Sequence, residues 1–289
     1  MKADIAAEFK QRLAAGDKVF GPLIGPANEP GKTVESLKQS GFDFFMVDNE
    51  HSMVGKEAIY QYIRHAREYE LPVLMRPEEN NANFRPYLDS GIQGLMVPQV
   101  DTVEQAMFAI NQCFFPPLGR RGSGIGMSPY LLDGMDAATT PLSTMLEYVN
   151  RNVILLPQTE SVAAIRELPR ILGLEGIAGT VVGSHDLSLD IGAYEPGMLR
   201  AEVTSQPVLE AKLRAVLDAC RAAGKVAGLG GFGPKGFAKW AREGFQFFTV
   251  GYVRDNNAAK AGALLHELRE LMGQDLDQAN PRLMEGQDV

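Results

Sequence analysis

The segment VILLPQTESVAAIRELPRILGLEGIAGTVVGSHDLSLDIG, residues 153–192, contains the unit from which the whole chain is built. Its two short apolar runs, residues 153–158 and 179–183, are separated by a helical segment punctuated by glycine. Continuous apolar runs of this length are typical of parallel strands that are buried on both faces and joined by crossover helices. The segment therefore predicts a strand–helix–strand unit whose strands end in polar residues.

The same unit recurs in both directions along the chain. Six further apolar runs occupy residues 19–25, 43–48, 72–76, 94–98, 225–230 and 245–251. The intervening segments have helical apolar spacing, as in residues 55–69 and 103–113, and the second of these follows a capping-box pattern formed by Thr102 and Gln105. Eight units predict a closed (β/α)8 TIM barrel.

This barrel is expected to form one domain over residues 1–273, followed by a polar C-terminal tail over residues 274–289. The long connection at about residues 111–152 is expected to be functional or interfacial. A doubly wound open sheet is the alternative fold, but it would usually have fewer strands and a GxGxxG turn after the first one. The sequence lacks that turn.

Composition limits the possible partners and location. The net charge of −8 disfavours nucleic acids and anionic membranes, which both require clustered basic residues. The charged N-terminal segment, residues 1–18, resembles an amphipathic helix rather than a secretion signal, and no apolar run is long enough to span a bilayer, so we expect a cytoplasmic protein. Cys113 and Cys220 lie outside any CxxC motif and are expected to be packing residues.

Polar residues cluster where the predicted strands end. In a barrel of this kind the active site lies at the carboxyl ends of the strands, so these residues should meet at one mouth. They are Asp48, Asn49, Glu50 and His51 after the second strand, Arg76 after the third, Gln158, Thr159 and Glu160 after the fifth, and Gly183, Ser184, His185 and Asp186 after the sixth.

Two of these carboxylates, Glu160 and Asp186, follow adjacent strands. A pair of carboxylates suits a hard divalent cation and leaves positions open for water and substrate oxygens. The absence of a Cys or His cluster argues against a closed zinc site. The alternative is that each carboxylate caps the helix that follows it.

Arg76 and His51 are the other candidates for chemistry. Arg76 ends a buried run, where its guanidinium could pair with a substrate carboxylate or an enolate oxygen; an internal salt bridge to Glu50 or Asp48 is the alternative. His51 lies three residues after Asp48, whose carboxylate could orient it as a general base. His185 could line the substrate pocket. The remaining histidines, His65 and His266, are expected to be surface or packing residues.

No predicted strand carries a lysine in its middle or at its carboxyl end, and Lys225 begins its strand. A Schiff-base mechanism needs such a lysine, so an enolate would require a metal ion as Lewis acid instead. The glycines of GRRGSG (119–124) and LGGFG (229–233) give a weak signal for phosphate binding.

Several strings resemble one family, the HpcH/HpaI-type class II pyruvate aldolases, which include 2,4-dihydroxyhept-2-enedioate and 2-keto-3-deoxy sugar-acid aldolases. The resemblance covers about residues 21–251. It rests on FDFFMVDNEHS (42–52), VLMRP (73–77), LDSGIQGLMVPQVDTVEQA (88–106), PPLGRRGSG (116–124), LLPQTESVAAIREL (155–168) and GIAGTVVGSHDLSLDIG (176–192).

The resemblance implies a role for each matching residue. Glu160 and Asp186 would bind Mg²⁺ or Mn²⁺, with Co²⁺ also possible. Arg76 would contact the pyruvate enolate, and Gln158 would lie near the substrate together with Gly183, Ser184 and His185. His51, supported by Asp48, would move the proton of the aldol hydroxyl.

The resemblance also implies a homo-oligomer, a hexamer by preference, with terminal helices exchanged between subunits. Asp89 would then lie near the site of a neighbouring subunit. Two departures stand out. The sequence Gly183-Ser184-His185 replaces the family's usual Gly-Pro and small residue, and Asn49 replaces a common glycine.

The expected function is that of a metal-dependent aldolase, a carbon–carbon lyase that reversibly cleaves a 4-hydroxy-2-oxo acid into pyruvate and an aldehyde through a metal-stabilised enolate. One alternative is a related metal-dependent lyase or condensing enzyme acting on oxaloacetate, phosphoenolpyruvate or an acyl-CoA. A non-catalytic barrel that binds 2-oxo acids is the other alternative, and the presence of His51 and Asp48 argues against it.

Overall fold

The computed structural model describes residues 4–27, 29–80, 84–124, 135–136, 138–254 and 257–279, with side chains through residue 273. The helices are α1 Ile5–Ala14, α2 Pro30–Gln39, α3 Lys56–Glu68, α4 Phe84–Ser90, α5 Val103–Cys113, α6 Leu142–Asn152, α7 Val162–Leu172, α8 Ser184–Asp190, α9 Arg200–Val203, α10 Pro207–Ala223, α11 Pro234–Glu243 and α12 Ala258–Ala279. The strands are β1 Val19–Ile24, β2 Phe45–Asp48, β3 Val73–Arg76, β4 Gly94–Val97, β5 Ile154–Thr159, β6 Gly179–Gly183, β7 Val226–Gly230 and β8 Phe247–Val253.

The strands form a closed parallel barrel in chain order, and β8 pairs with β1. The predicted (β/α)8 fold is therefore confirmed, and the capping box before α5 is present. The largest error in strand position concerns β8, which begins and ends two residues later than expected. Its pairing with β1 shifts register between Gly21 and Leu23, so that Leu23 lies opposite Tyr252. With this shift, β8 continues beyond Gly251 and includes Tyr252.

The amino-terminal end of the barrel is closed by α1. Asp4 caps this helix by accepting a hydrogen bond from Ala7 N at 3.1 Å. Phe9 is buried beneath the helix, with its ring centroid 5.6 Å from that of Phe44, and the Phe44 ring in turn stacks on Phe247 at 4.5 Å. Aromatic packing of this kind buries a large apolar area, and all three rings belong to one buried cluster at this end.

The outer layer of helices packs on the other face of the strands. Cys113 and Cys220 belong to this core, where burial raises the pKa of each thiol to about 12, which confirms them as packing residues. His65 pairs with Glu68 and His266 with Glu270, in agreement with their expected structural roles. None of the described helices combines the length and apolar character needed to cross a membrane.

The last helix continues beyond the expected domain end at residue 273 and reaches Ala279. Within this chain it contacts β8 and α2, and its residues Leu265 and Leu268 are fully buried. The expected exchange of a terminal helix between subunits stays a prediction. Residues 280–289, the rest of the predicted tail, lie outside the described part of the chain, as do residues 125–134 of the long connection.

Candidate active site at the carboxyl end of the barrel

A cavity of about 620 Å³ opens at the carboxyl ends of the strands. This volume is in the range of sites that take small molecules. The structure places seven of the predicted site residues on its wall: His51, Arg76, Gln158, Gly183, Ser184, His185 and Asp186. Glu160 and Asp48 lie directly behind this wall through their contacts with Gln158 and Arg76.

Glu160 is buried just after β5 and is held by two donors. Its Oε2 accepts a hydrogen bond from Gln99 N at 3.1 Å, and its Oε1 accepts one from Gln158 Nε2. Burial, together with the negative charges of Glu50 and Asp186, raises the pKa of the Glu160 carboxyl to about 7. The site therefore concentrates more negative charge than its own residues neutralise.

Asp186 lies in the first turn of α8, directly after β6, and is open to solvent. A Cβ on Gly183, the residue before this turn, would overlap Oε1 of Glu160, so the glycine leaves room for that carboxylate. Ser184 fixes the same turn by donating a hydrogen bond from its hydroxyl to Gly230 O at 2.6 Å. The sequence of this turn thus brings the two carboxylates together from adjacent strands.

The capping alternative does not account for Glu160. Helix α7 is capped by Ser161, whose Oγ accepts a hydrogen bond from Ala164 N at 2.9 Å. The residue at the start of α8, Gly183, provides no side-chain cap. Since both oxygens of Glu160 are directed to Gln99 and Gln158, its carboxylate is oriented by the site rather than by the helix.

The side-chain oxygens at this site fit a hard divalent cation. Among the described residues, no group of three or more His, Cys, Asp or Glu side chains forms a complete metal cage. The described oxygens are those of Glu160 and Asp186 and the side-chain oxygen of Gln158, which is buried without a hydrogen-bond partner. Mg²⁺ and Mn²⁺ typically bind through one or two carboxylates and take their other ligands from water and substrate.

Arg76 lies opposite this group and forms the internal salt bridges that were the alternative to a substrate contact. Its Nε lies 2.7 Å from Asp48 Oδ1, and its Nη1 lies 2.9 Å from Glu50 Oε2. Burial opposes the charge of Arg76, but the hydrogen bond and charge of Asp48 together with Glu50 raise its pKa above the ordinary value. Arg76 nevertheless lines the cavity, so the salt bridges hold it where a bound anion would meet it.

The expected support of His51 by Asp48 is wrong. Asp48 lies opposite Arg76 in the register of β2 and β3 and directs one oxygen to Arg76 and the other to the Tyr252 hydroxyl at 3.1 Å. The carboxylate beside the imidazole is that of Glu50, with Oε2 at 3.7 Å from His51 Nε2. His51 itself is 58% exposed, at the cavity entrance.

His185 contacts a residue that the sequence did not single out. Arg200 donates a hydrogen bond from its Nε to His185 Nε2 at 2.8 Å. Burial lowers the pKa of His185, and the positive charge of Arg200 lowers it further against the opposing effect of Asp186. The imidazole therefore favours its neutral form.

The two departures from the family pattern have local explanations. Asn49 secures the turn after β2, since its Oδ1 accepts from Val54 N at 3.1 Å and its Nδ2 donates to Glu78 Oε1 at 3.1 Å. A glycine could form neither bond. The second departure provides His185 as the acceptor for Arg200.

Asp89 is not brought to this cavity in the same chain. It lies on α4 and pairs at 2.5 Å with Arg121, which belongs to the GRRGSG segment and also lies 4.6 Å from the Phe115 ring centroid. Arg121 is thus engaged within the fold. The role of Asp89 near a neighbouring subunit stays a prediction.

Sequence reasoning missed several residues on the cavity wall, among them Arg200, Phe232, Tyr252 and Arg254. Phe232 and Arg254 follow the ends of β7 and β8 and could have been found by extending the strand-end rule to every strand. Arg200 lies in a connection between helices, where the sequence carries no such signal.

A (β/α)8 barrel with paired carboxylates, a buried arginine and an exposed histidine at its mouth belongs to the class of barrel enzymes with an active site at the carboxyl end. Comparison with known proteins identifies the family. The sequence model of the HpcH/HpaI aldolase/citrate lyase family matches residues 26–255. The chain belongs to this family, which confirms the resemblance and the expected class of enzyme, an aldolase-type carbon–carbon lyase.

A curated relative, the 2-keto-3-deoxy-L-rhamnonate aldolase of Salmonella schwarzengrund, is 31% identical over 252 residues, covering 87% of this chain and 89% of the relative. The crystal structure of an HpcH/HpaI aldolase from Desulfitobacterium hafniense has a TM-score of 0.72 at 22% identity and covers 94% of this chain and 96% of that one. The citrate synthase SbnG has a TM-score of 0.70 at 22% identity and covers 94% and 98%. Both structural likenesses show the fold alone.

Proposed function

We propose that this chain is a metal-dependent aldolase that reversibly cleaves a 4-hydroxy-2-oxo acid into pyruvate and an aldehyde. The observation that carries the proposal is the arrangement of Glu160, Asp186 and Arg76 around one cavity at the barrel mouth. The family membership and the curated sugar-acid aldolase relative support the same activity. Mg²⁺ or Mn²⁺ is the proposed ion, with Co²⁺ as a substitute.

A divalent cation held by Glu160 and Asp186 would act as a Lewis acid on the 2-oxo group of the substrate. The guanidinium of Arg76 would face the same end of the substrate and stabilise the negative charge that develops there. Because Asp48 and Glu50 fix that guanidinium, it needs no reorganisation during the reaction.

His51 would take the proton from the C4 hydroxyl. The C3–C4 bond then breaks, the aldehyde leaves with the C4 carbon, and the electron pair of the broken bond remains on C3 as the enolate of pyruvate. Protonation at C3 gives the methyl group of pyruvate, and condensation is the reverse. Glu50, at 3.7 Å, would stabilise the imidazolium, and the exposure of His51 gives its proton a route to solvent.

We propose a homo-oligomer, by preference a hexamer, on the resemblance alone. The same holds for a cytoplasmic location and for the role of Asp89 at a neighbouring subunit.

The test is to mix the purified protein with pyruvate and a small aldehyde in the presence and absence of Mg²⁺ or Mn²⁺ and to detect the 4-hydroxy-2-oxo acid by mass spectrometry. The proposal expects product with metal and none after chelation. Consumption of oxaloacetate, phosphoenolpyruvate or an acyl-CoA without any aldol product would favour a related lyase or condensing enzyme. Binding of pyruvate with no turnover would indicate a non-catalytic binding protein.

A further inference from the structure

The connection between α8 and α10 places a positively charged side chain, that of Arg200, on the cavity wall. Arg200 begins the one-turn helix α9 and lines the cavity although it lies far from any strand end. The turn is well supported, since Glu202 accepts a hydrogen bond from Leu199 N at 2.5 Å and the side chain of Thr204 is buried. The backbone that presents Arg200 is therefore defined.

The side chain of Arg200 is also oriented. A guanidinium can only donate hydrogen bonds, so His185 Nε2 accepts from Arg200 Nε and leaves the two terminal nitrogens of Arg200 available. The His185 ring is fixed in turn by its close approach to Gly231, where a Cβ would lie 3.2 Å from His185 Cδ2. Gly231 has a φ of +88°, a conformation that also favours glycine.

A second cation, Arg254, lines the same cavity and lies 4.8 Å from the Tyr252 ring centroid. Both arginines are exposed, and for neither does the described part of the chain place a carboxylate within ion-pair distance. Arg76 differs, because it is buried between Asp48 and Glu50. The inner arginine is thus neutralised by the protein, whereas the two outer ones keep positive charge for a ligand.

We propose that Arg200, positioned by His185 and assisted by Arg254, forms a subsite for an anionic group at the far end of the acceptor aldehyde. This inference rests on the proposed function and narrows it to substrates with a carboxylate or phosphate beyond the bond that is cleaved. Both groups accept hydrogen bonds from guanidinium nitrogens, and such charge-assisted bonds are stronger than neutral ones. Arg200 is a specificity-determining residue in this account, and His185 is a positioning residue.

The experiment compares three acceptors with pyruvate and Mn²⁺: succinic semialdehyde, which has a carboxylate, glycolaldehyde phosphate, and butanal, which has no charge. For each, kcat/KM for the aldehyde is measured in the wild type, in Arg200→Met and in Arg200→Lys. Arg166→Met, which replaces an exposed arginine on α7 that does not line the cavity, is the matched control.

We expect the wild type to prefer at least one charged acceptor over butanal. In Arg200→Met the ratio of charged to neutral kcat/KM should fall by about tenfold, the effect of losing one charge-assisted contact. The loss should appear mainly in KM for the aldehyde, Arg200→Lys should restore part of the ratio, and Arg166→Met should match the wild type. Which charged acceptor responds identifies the subsite as one for carboxylate or for phosphate.

An equal ratio in wild type and Arg200→Met overturns the inference, as does a wild type that prefers butanal. Exchange of the pyruvate methyl protons with deuterated solvent keeps this failure separate from that of the proposed function. A wild type that exchanges these protons but uses no charged acceptor refutes the subsite alone. A wild type that exchanges none with any divalent metal refutes the proposed function, and the subsite with it.

Discussion

The two ends of the barrel are built from opposite kinds of residue. At the amino-terminal end, α1 places Phe9 against Phe44 and Phe247 in a dry aromatic stack. At the carboxyl end, Glu160 and Asp186 bring charges together around an open cavity. The first arrangement stabilises the fold and offers no chemistry, whereas the second opposes folding through charge repulsion and burial and is useful when a cation and an anionic substrate are bound.

Charges also occur at the closed end, but there they serve the backbone. Lys10 donates a hydrogen bond from Nζ to Val153 O at 3.0 Å, and Lys225 donates one to Ile177 O at 2.7 Å. Burial, together with the nearby positive charge of Lys225, lowers the pKa of Lys10 to about 8. The comparison therefore separates residues kept for stability from residues kept for chemistry, and substitutions at the two ends should have opposite effects.

The largest effect is expected at the mouth. Replacement of Glu160 or Asp186 by alanine should lower the rate of metal-dependent aldol turnover by at least about a thousandfold, since it removes the charge that holds the Lewis acid. The free energies of unfolding of both variants should stay at or above that of the wild type, because each substitution removes one of several repelling carboxylates. Steady-state kinetics and urea unfolding measure the two quantities. Full turnover by a folded Glu160→Ala or Asp186→Ala protein would refute the assignment.

The next largest effect is expected on stability, at the closed amino-terminal end of the barrel. Phe9→Ala should lower the free energy of unfolding by about 3 kcal/mol, because it leaves a cavity in the buried stack beneath α1. Its aldol kinetics at a temperature where the protein is folded should equal those of the wild type. Gln11→Ala, an exposed position on the same helix, is the control. A large change in kcat without loss of stability would show that the closed end takes part in function.

His51→Asn should lower kcat by about a hundredfold, the usual contribution of a general base, and should leave stability within about 0.5 kcal/mol because the side chain is exposed. The measurement is aldol turnover with saturating metal and substrate. Glu50→Gln should give a smaller loss in kcat, as a residue that stabilises the imidazolium. Wild-type turnover in His51→Asn would show that another group is the general base.

The smallest expected effect is on the pH dependence of stability. The pKa of Lys10 is about 8 in the folded chain and 10.5 without burial. Below pH 8 both states hold the proton and the full cost of burying the ammonium is present; between pH 8 and 10.5 the unfolded state holds the extra proton, so stability rises with pH.

Lys10→Met should remove this contribution, so that its free energy of unfolding relative to the wild type decreases by about 2.5 kcal/mol from pH 8 to 10.5. Urea unfolding at several pH values measures the difference, and Lys260→Met, an exposed position on α12, is the control. Parallel pH profiles of Lys10→Met and wild type would contradict the low pKa.

The sequence predicts the barrel well because every strand is a continuous apolar run that is buried on both faces. The polar residues at the strand ends likewise identify seven residues of the cavity wall, including Arg76 and Asp186, and Glu160 directly behind it. What a strand-end rule cannot provide is the pairing among those residues. Spacing along the chain suggested that Asp48 supports His51, but the register of β2 and β3 places Asp48 opposite Arg76.

Two other site residues were not predicted from the sequence, for different physical reasons. Tyr252 enters the site because the register of β1 and β8 shifts after Gly21, an irregularity with no marker in the apolar pattern. Arg200 enters through a connection between helices and is directed by a hydrogen bond to His185. Both depend on contacts between distant parts of the chain.

The most direct test of the account is proton exchange at pyruvate. The metal-free protein is incubated with pyruvate in deuterated water, Mg²⁺ or Mn²⁺ is added, and the methyl signal is followed by NMR, with readings in Mn²⁺ taken after the ion is removed by chelation. The account predicts that the signal is lost when metal is present and is retained in Glu160→Ala and Asp186→Ala. Retention of the signal by a folded wild-type protein that binds pyruvate, with either metal, would contradict the central claim that the mouth of this barrel stabilises the enolate.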